Sequence, residues 1–297
     1  NSAMKCSRMS RLCLFGVVSL VVCPVVWGNS PTPDFERGDL VAIIGDSITE
    51  QKLYSRFVET YLRVCVPELA LRAVQFGWSG ERAEGFLQRL ENDVLPFAPD
   101  VATTCYGMND GRYVAYTEEI GAAYRRPMDG IVERLKGAGC FVVVGSPGAV
   151  DTVTFAPHWV QEKIPAGVYN ENLAHLRDIA RETADAHGMG FANVHEAMIE
   201  VMAAGKAAYG ADYHVGGGDG VHPADNGQLV MAYAFLKGLG FDGDIGTVTL
   251  DMNGKASVTA GHGVVSAGKG EVKLRSTRYP FCFSEQPFGS GDAQYST

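Results

Sequence analysis

Short apolar runs alternate with longer amphipathic segments through most of this chain. The amphipathic segments space their apolar residues as helices do, which predicts helices over 52–64, 83–95, 118–137, 166–187, 197–208 and 226–239. The runs that predict short buried strands are 40–44, 69–76, 100–106, 140–145 and 189–194. Buried strands that alternate with helices require a parallel sheet covered on both faces. Right-handed crossovers then predict an α/β fold, a doubly wound parallel sheet in a three-layer α/β/α sandwich.

The chain changes character near residue 246. The segments 247–250 and 256–259 alternate apolar and polar residues on either side of Asn253-Gly254, a dipeptide that favours tight hairpin turns. The segments 271–274 and 279–283 are also predicted strands. We therefore predict one α/β domain over residues 38–242, followed by a small C-terminal β appendage over residues 246–290.

The N-terminal residues are typical of an exported protein. Residues 1–3 precede a methionine and are interpreted as a cloning remnant, whereas residues 4–28 combine a basic start with an apolar run. This pattern predicts a cleaved signal peptide and a secreted or periplasmic protein. A transmembrane anchor is the alternative, but the run is shorter than the roughly 20 residues of a spanning helix and Pro24 interrupts it. A lipoprotein site at Cys23 is a weaker alternative, because the bulky Val22 precedes the cysteine.

Removal of the signal peptide would leave four cysteines, namely Cys65, Cys105, Cys140 and Cys282. Their spacing matches no zinc-binding pattern. Cys105 and Cys140 stand in apolar runs, which predicts buried thiols in strands. An oxidising compartment would permit a disulfide, and the sequence leaves the pairing open.

The balance of charge argues against nucleic acid as a partner. The chain has 34 acidic and 25 basic side chains, a formal net charge of -9 and a pI of about 5.3. Binding to a phosphate backbone needs clustered lysine and arginine, and the body of the chain contains no basic run. We therefore predict no nucleic-acid partner.

Small polar residues collect where the predicted strands end. Ser47 follows the first strand, Gly77 the second and Asn109 the third, while Asp219 and His222 stand in a glycine-rich loop before the last helix. Ligands of parallel α/β sheets bind beyond the carboxyl ends of the strands. These residues, distant in sequence, are therefore expected to meet at one rim of the sheet.

The sequence allows two interpretations of Ser47. A serine at the start of a helix is most often an N-cap, whose hydroxyl accepts a backbone hydrogen bond. Alternatively, Ser47 is a nucleophile held at the positive end of a helix, where N–H groups can bind an oxyanion. A serine nucleophile needs a base, because the hydroxyl is not nucleophilic at its free pKa.

The segment Asp219-Gly220-Val221-His222 can supply that base. An aspartate three residues before a histidine can hold the imidazole so that its other nitrogen faces the serine. The alternatives are an inert surface loop and half of a metal site. The other histidines have no partner at convincing metal-ligand spacing and are predicted to be surface or packing residues; they are His158, His175, His187, His195, His214 and His262.

Four sequence blocks occur in a characteristic order along the chain: Gly45-Asp46-Ser47, Gly77, Gly107-Met108-Asn109-Asp110 and Asp219-Gly220-Val221-His222. This order resembles the SGNH (GDSL-type) hydrolase superfamily, and the resemblance covers residues 40–240. It implies the flavodoxin-like fold of that family and a carboxylic ester hydrolase. One departure is Gln75, where many members have an asparagine two residues before the glycine.

The resemblance also assigns roles by motif position. It implies that Ser47 is the nucleophile, His222 the base and Asp219 the residue that orients the base. It implies an oxyanion hole formed by the main-chain N–H groups of Ser47 and Gly77 together with the side-chain amide of Asn109. No cofactor and no metal are implied.

Substrate contacts are expected around the same rim. The candidate substrate-binding residues are Trp78, Asp110 and Tyr213, and the other aromatic residues near the rim are Tyr106, Tyr113 and Trp159. Aromatic side chains there either stack on a sugar ring or pack on the core. The segment 151–165 is long for a strand-to-helix connection, which predicts a substrate loop or lid.

Export, the family resemblance and the rim aromatics lead to the hypothesis of a carbohydrate esterase that releases acetate. A lipid-directed esterase, such as a lysophospholipase or thioesterase, is the alternative enzyme and would need an apolar acyl channel. A third hypothesis is a binding module that kept the fold and lost the chemistry. The intact Ser47, His222 and Asp219 argue against that hypothesis.

Overall fold

Five parallel strands form the central sheet of the protein. The computed structural model describes residues 30–251, 253–268 and 270–278. The bounds of the strands are β1 Leu40–Gly45, β2 Arg72–Gly77, β3 Val101–Cys105, β4 Phe141–Gly145 and β5 Gly190–Ala192. They stand in the order β2-β1-β3-β4-β5, and each pairing is parallel. The predicted doubly wound parallel sheet is confirmed.

Helices cover both faces of this sheet. Their bounds are α1 Ser47–Glu50, α2 Tyr54–Val64, α3 Ala83–Asp93, α4 Glu118–Gly137, α5 Ala166–His187, α6 Val194–Tyr209 and α7 Asp225–Gly238, with short 3₁₀ helices at Pro67–Leu69 and Leu95–Phe97. Alternate residues of β1 face opposite layers, because successive side chains of a strand point to opposite sides. Ile43 packs with residues of α2, α6 and α7, whereas Ile44 packs with residues of α3 and α4. The three-layer sandwich is confirmed.

The helix predicted over residues 52–64 is confirmed as α2, Tyr54–Val64, and a separate turn precedes it. A single turn, α1, carries Ser47, and α2 starts only at Tyr54. Lys52 lies between them with a φ of 61°, a left-handed conformation that a continuous helix cannot contain. The break leaves α1 as a separate turn at the end of β1.

The C-terminal appendage consists of two antiparallel hairpins. Their strands are β6 Val248–Leu250, β7 Ala256–Val258, β8 His262–Gly268 and β9 Glu271–Ser276. The first hairpin turns at Asn253-Gly254, as predicted, and Gly254 has the positive φ of 84° that such a turn needs. The strand β8 was not predicted, because its glycines and small residues obscure the alternating pattern.

Several sequence predictions fall on residues that the structure does not describe. These are the signal peptide over residues 4–28, the strand over 279–283 and Cys282. Within the described part of the chain, Cys65, Cys105 and Cys140 are buried, and Cys105 and Cys140 are free thiols. No helix among the described residues is both long enough and apolar enough to cross a membrane.

Candidate active site

Ser47 stands at the first position of α1, directly beyond the carboxyl end of β1. The cap of this helix is the preceding residue, since the Asp46 carboxylate accepts the Ile48 N–H at 3.0 Å. The alternative in which Ser47 itself caps the helix is therefore wrong. Its hydroxyl is left available to a partner outside the helix.

That partner is His222. The Ser47 Oγ lies 2.9 Å from His222 Nε2, although the two residues are 175 positions apart in sequence. On the other side of the ring, His222 Nδ1 lies 2.7 Å from Asp219 Oδ2. The three side chains form a continuous chain of hydrogen bonds from hydroxyl to imidazole to carboxylate, which is the geometry of a nucleophile with an oriented base.

The Asp219 carboxylate is held in its ionised form. Partial burial alone would raise its pKa, but hydrogen bonds outweigh burial and bring the pKa below its ordinary value. The Asp219 Oδ1 accepts the backbone N–H groups of Val221 and His222, each at 2.9 Å, and Oδ2 faces the His222 ring. An ionised carboxylate here favours a proton on the Nδ1 of His222, so that Nε2 can accept the proton of Ser47.

The segment predicted to be a substrate loop or lid runs along the loop that carries the acid and the base. The Asp151 N–H donates to the Gly220 carbonyl at 2.9 Å, and the Ala156 N–H donates to the Asp219 carbonyl at 3.1 Å. Gly220 has a φ of 74°, and a Cβ placed there would lie 2.4 Å from Phe155. The two backbones pass too closely for a side chain, so residues 151–156 brace the Asp219–His222 loop.

The start of the brace is fixed by a buried ion pair. The Asp151 side chain is fully buried; its Oδ1 lies 3.2 Å from Lys206 Nζ in α6, and its Oδ2 accepts the Val215 N–H at 3.0 Å. Hydrogen bonds from Val153 and Val215, together with Lys206, lower the pKa of Asp151 despite the opposing effect of burial. One carboxylate thus connects the brace, α6 and the segment that leads to Asp219.

Gly77 ends β2 at the register position beside Gly45. A Cβ on Gly77 would lie 2.3 Å from the backbone nitrogen of Glu50 and 2.6 Å from the carbonyl carbon of Thr49. These atoms belong to α1, the helix that carries Ser47. Only glycine therefore permits this close approach of β2 to the helix of the candidate nucleophile.

Asn109 follows β3 and reaches the same rim. Its Nδ2 lies 3.1 Å from the Glu81 carbonyl oxygen and 3.3 Å from Asp46 Oδ2, and its Oδ1 accepts from the Tyr113 hydroxyl at 3.3 Å. Both amide hydrogens thus have acceptors within the protein. To donate to an oxyanion, Asn109 would exchange one of them, and the longer contact to Asp46 is the weaker of the two.

Two buried carboxyl groups lie behind the candidate nucleophile. Burial raises the pKa of Asp46 to about 7, and it raises the pKa of Asp110 to about 6. The Asp110 oxygens accept the N–H groups of Ala83 and Gly107, each at 3.0 Å. These bonds tie the loop after β3 to the start of α3, so the geometry gives Asp110 a role within the fold and does not itself support substrate binding.

A cavity of about 510 Å³ opens beside Asn109. Its lining includes Tyr113, Trp159 and Glu162, and two arginines that sequence reasoning did not single out, Arg82 and Arg112. Trp159 is 41% exposed, and its ring centre lies 5.5 Å from that of His222 in an edge-to-face arrangement. The segment 151–165 therefore places the aromatic side chain of Trp159 against the candidate base His222.

The other rim aromatics divide between core and surface. Tyr106 is fully buried and packs on Phe86. Trp78 is exposed and lies directly after Gly77, where the Arg89 guanidinium is 5.6 Å from its ring centre. Tyr213 covers Gly205 in α6, and its hydroxyl accepts from Asn226 at 3.0 Å. Trp78 thus offers an open ring, whereas Tyr213 packs between helices.

Gln75, the departure from the family pattern, has a structural contact. Its Oε1 accepts from the Ser55 hydroxyl of α2 at 3.2 Å. Gln75 thereby connects β2 to α2, away from the reacting groups. Among the residues that the structure describes, no cluster of three or more histidine, cysteine, aspartate and glutamate side chains is arranged to hold a metal ion.

Comparisons with known proteins agree with this geometry. The model of the GDSL-like lipase/acylhydrolase family matches residues 43–230. An acetylxylan esterase from Geobacillus stearothermophilus is 24% identical over 224 residues, which are 69% of this chain and 95% of that protein. The match to the family model covers both Ser47 and the Asp219–His222 loop.

Solved structures share the fold. A gut microbial diltiazem-metabolizing enzyme, BT4096, superposes with a TM-score of 0.73 at 23% identity over 90% of this chain, which spans 63% of that enzyme's length. A catalytic mutant of Axe2, an acetylxylan esterase from Geobacillus stearothermophilus, superposes with a TM-score of 0.57 at 20% identity over 71% of this chain and 98% of that one.

Proposed function

Because the chain belongs to the GDSL-like lipase/acylhydrolase family and is a carboxylic ester hydrolase, we propose that it removes acetyl groups from an O-acetylated carbohydrate. The reaction runs through an acyl-enzyme on Ser47. The observation that carries the proposal is the hydrogen-bonded chain from Ser47 Oγ through His222 to Asp219, with distances of 2.9 and 2.7 Å. The family match supports the reaction class, and the geometry supports the residues.

The first half of the reaction forms the acyl-enzyme. The Ser47 Oγ attacks the carbonyl carbon of the ester while His222 Nε2 takes the hydroxyl proton. The carbonyl oxygen becomes an oxyanion, which the N–H groups of Ser47 and Gly77 and the Asn109 amide stabilise. As the tetrahedral intermediate collapses, His222 returns the proton to the leaving sugar oxygen, and the acetyl group stays on Ser47.

The second half releases acetate. A water molecule gives a proton to His222 and attacks the acetyl carbon, so the same oxyanion site is used again. Collapse of this intermediate breaks the bond to Ser47 Oγ, which regains its proton from His222. Asp219, ionised throughout, stabilises the imidazolium that forms in each half.

The walls of the cavity favour a polar alcohol over a long acyl chain. Asn109, Arg82, Arg112 and Glu162 supply hydrogen-bonding side chains, and Trp159 supplies an aromatic face on which a sugar ring can stack. The acetylxylan esterase relative supports the acetyl group and the carbohydrate. A lipid-directed esterase would need an apolar acyl channel at Ser47, and the mixed polar lining does not favour one.

The first experiment measures hydrolysis of p-nitrophenyl esters from acetate to palmitate, and acetate release from acetylated xylo-oligosaccharides. We expect the rate to be highest for acetate. We expect Ser47→Ala to lower kcat by about 10⁴-fold or more, since the nucleophile is lost. The matched control is Ser55→Ala, a buried serine whose hydroxyl donates to Gln75, and this variant should keep its activity.

Three outcomes would contradict the proposal. Unchanged activity in Ser47→Ala would refute the assignment of the nucleophile. A maximum at long acyl chains would instead support the lipid-directed esterase. Absence of activity on every ester, with the fold intact by circular dichroism, would leave the binding module as the better hypothesis.

A further inference from the structure

Two arginine side chains line the cavity beside Asn109, in a protein whose overall charge is negative. The chain has a formal net charge of -9. Yet two arginines, Arg82 and Arg112, line this cavity against one acidic residue, Glu162. Arg112 is paired with Glu119, so Arg82 is the cation of this cavity that can attract a ligand with negative charge.

Arg82 is the better placed of the two. Its Nε donates to the backbone carbonyl of Asn109 at 3.0 Å, which fixes the guanidinium next to the candidate oxyanion donor. This bond uses Nε, so both terminal nitrogens of the guanidinium remain able to donate hydrogen bonds to another group. Two nitrogens on one edge of a planar guanidinium match the two oxygens of a carboxylate.

The neighbouring arginines already have acidic partners. Arg112 Nη1 lies 3.3 Å from Glu119, Arg126 Nη2 lies 3.2 Å from Glu84, and Arg89 pairs with Glu81 at 2.6 Å. Among the described residues, no carboxylate oxygen lies within 4.0 Å of the Arg82 guanidinium nitrogens.

The nearby Asp110 does not neutralise Arg82 by direct contact. Both Asp110 oxygens accept backbone N–H groups, from Ala83 and from Gly107, and its side chain is buried. Arg82 itself is exposed to the cavity. Its charge therefore faces the space where a substrate would lie.

We propose that Arg82 binds a carboxylate group of the substrate, and that the natural substrate is an O-acetylated acidic carbohydrate such as a uronic-acid-containing glycan. This inference rests on the proposed esterase function and narrows its substrate class. The ion pair with Arg82 holds the sugar beside Asn109, so that the ester carbonyl lies at Ser47. The Trp159 face covers the ring from the side of His222.

The test compares two esters that differ in one charge. The anionic ester is para-acetoxybenzoate, and the neutral one is its methyl ester. We expect the wild type to have a kcat/KM about tenfold higher for the anion, the size of one modest charge-assisted contact. Added salt should reduce this preference, because Arg82 is exposed and its charge is screened.

Three variants separate binding from structure. Arg82→Gln should lower the ratio of kcat/KM for the anion to kcat/KM for the neutral ester about tenfold. Arg82→Lys, which keeps the charge, should recover part of the preference. Arg126→Gln is the matched control, because this arginine is exposed and paired with Glu84 but does not line the cavity; it should leave both values unchanged.

The same measurements show which idea has failed. An equal loss of kcat/KM on both esters in Arg82→Gln would mean that Arg82 only supports the Asn109 loop. Equal kcat/KM values for the two esters in the wild type would overturn the proposal. Hydrolysis of the neutral ester that disappears in Ser47→Ala would still support the esterase. A final comparison of acetylated oligogalacturonate with acetylated xylo-oligosaccharide extends the result to sugars, and faster acetate release from the acidic sugar is expected.

Discussion

The close approach of Gly77 to α1 gives a prediction whose size follows from the structure. In Gly77→Ala, the new Cβ would lie 2.3 Å from the Glu50 nitrogen, whereas ordinary contacts begin at 3.4 Å. The two backbones must therefore separate by about 1 Å. Since β2 is hydrogen bonded to β1 over six residue pairs and α1 is a single turn, α1 is the element that moves.

This shift displaces the proposed nucleophile, Ser47, from the proposed base, His222. Ser47 is three residues before Glu50 in the same turn, so a movement of the turn changes the 2.9 Å distance from its Oγ to His222 Nε2. A misplacement of about 1 Å costs on the order of 100-fold in rate. Overpacking of this kind also destabilises a protein by about 1–3 kcal/mol. We therefore expect a large loss of kcat with a moderate loss of stability.

The assay is kcat and KM on p-nitrophenyl acetate, together with the free energy of unfolding from urea denaturation. The matched control is Gly137→Ala at the end of α4, where a Cβ meets nothing within 4 Å, and it should change stability by less than about 0.5 kcal/mol and leave the rate unchanged. If Gly77→Ala retains kcat within twofold, α1 does not need its present position and the reasoning fails. Because alanine keeps the backbone N–H, the loss measures geometry and does not measure removal of an oxyanion donor.

Three further predictions concern the charged groups. Asp219→Asn should lower kcat about 10⁴-fold, because an amide cannot stabilise the imidazolium of His222. Tm should change little, because the amide oxygen can keep the backbone contacts. A loss of kcat below tenfold would exclude Asp219 as the residue that orients His222. Asp46 has a pKa raised from 3.8 to about 7, so its contribution to stability is fully present below pH 3.8 and is lost as pH rises through 7. The unfolding free energy of the wild type minus that of Asp46→Asn, from urea titrations, should therefore fall across this window, and a difference independent of pH would show that the pKa is not raised. Lys206→Met leaves the buried Asp151 without its cation and should lower the unfolding free energy by about 2 kcal/mol in the same assay. An unchanged value would mean that the backbone N–H groups suffice to stabilise the Asp151 carboxylate.

The elements with strong local signals were predicted from sequence alone. The helices over 118–137 and 166–187 match α4 Glu118–Gly137 and α5 Ala166–His187 residue for residue. Local chemistry explains this agreement: Thr117 caps the start of α4 by accepting the Ile120 N–H, and Gly188 ends α5 with a positive φ of 66°. Such signals lie within a few residues of the boundary that they set.

The features that sequence reasoning missed depend on contacts between distant segments. The unusual φ of Lys52, which separates α1 from α2, has no marker in a lysine side chain. The brace between residues 151–156 and the Asp219–His222 loop relies on Gly220, and nothing in the sequence connects that glycine to Phe155. Arg82 was passed over because its bond to the Asn109 carbonyl exists only in the folded chain. The residues that meet at the rim were predictable, and the supports that hold them there were not.

The separation of 175 positions between Ser47 and His222 has a consequence for the protein during its synthesis. A ribosome adds about 5–20 residues per second, so Ser47 is synthesised roughly 10–35 s before His222, its hydrogen-bond partner. The last helix must arrive too, since Gln228 in α7 accepts the backbone N–H of Tyr54 and Phe235 stacks on the Tyr54 ring. During synthesis the nascent chain therefore cannot hydrolyse esters, and activity begins only once the two ends of the domain have met.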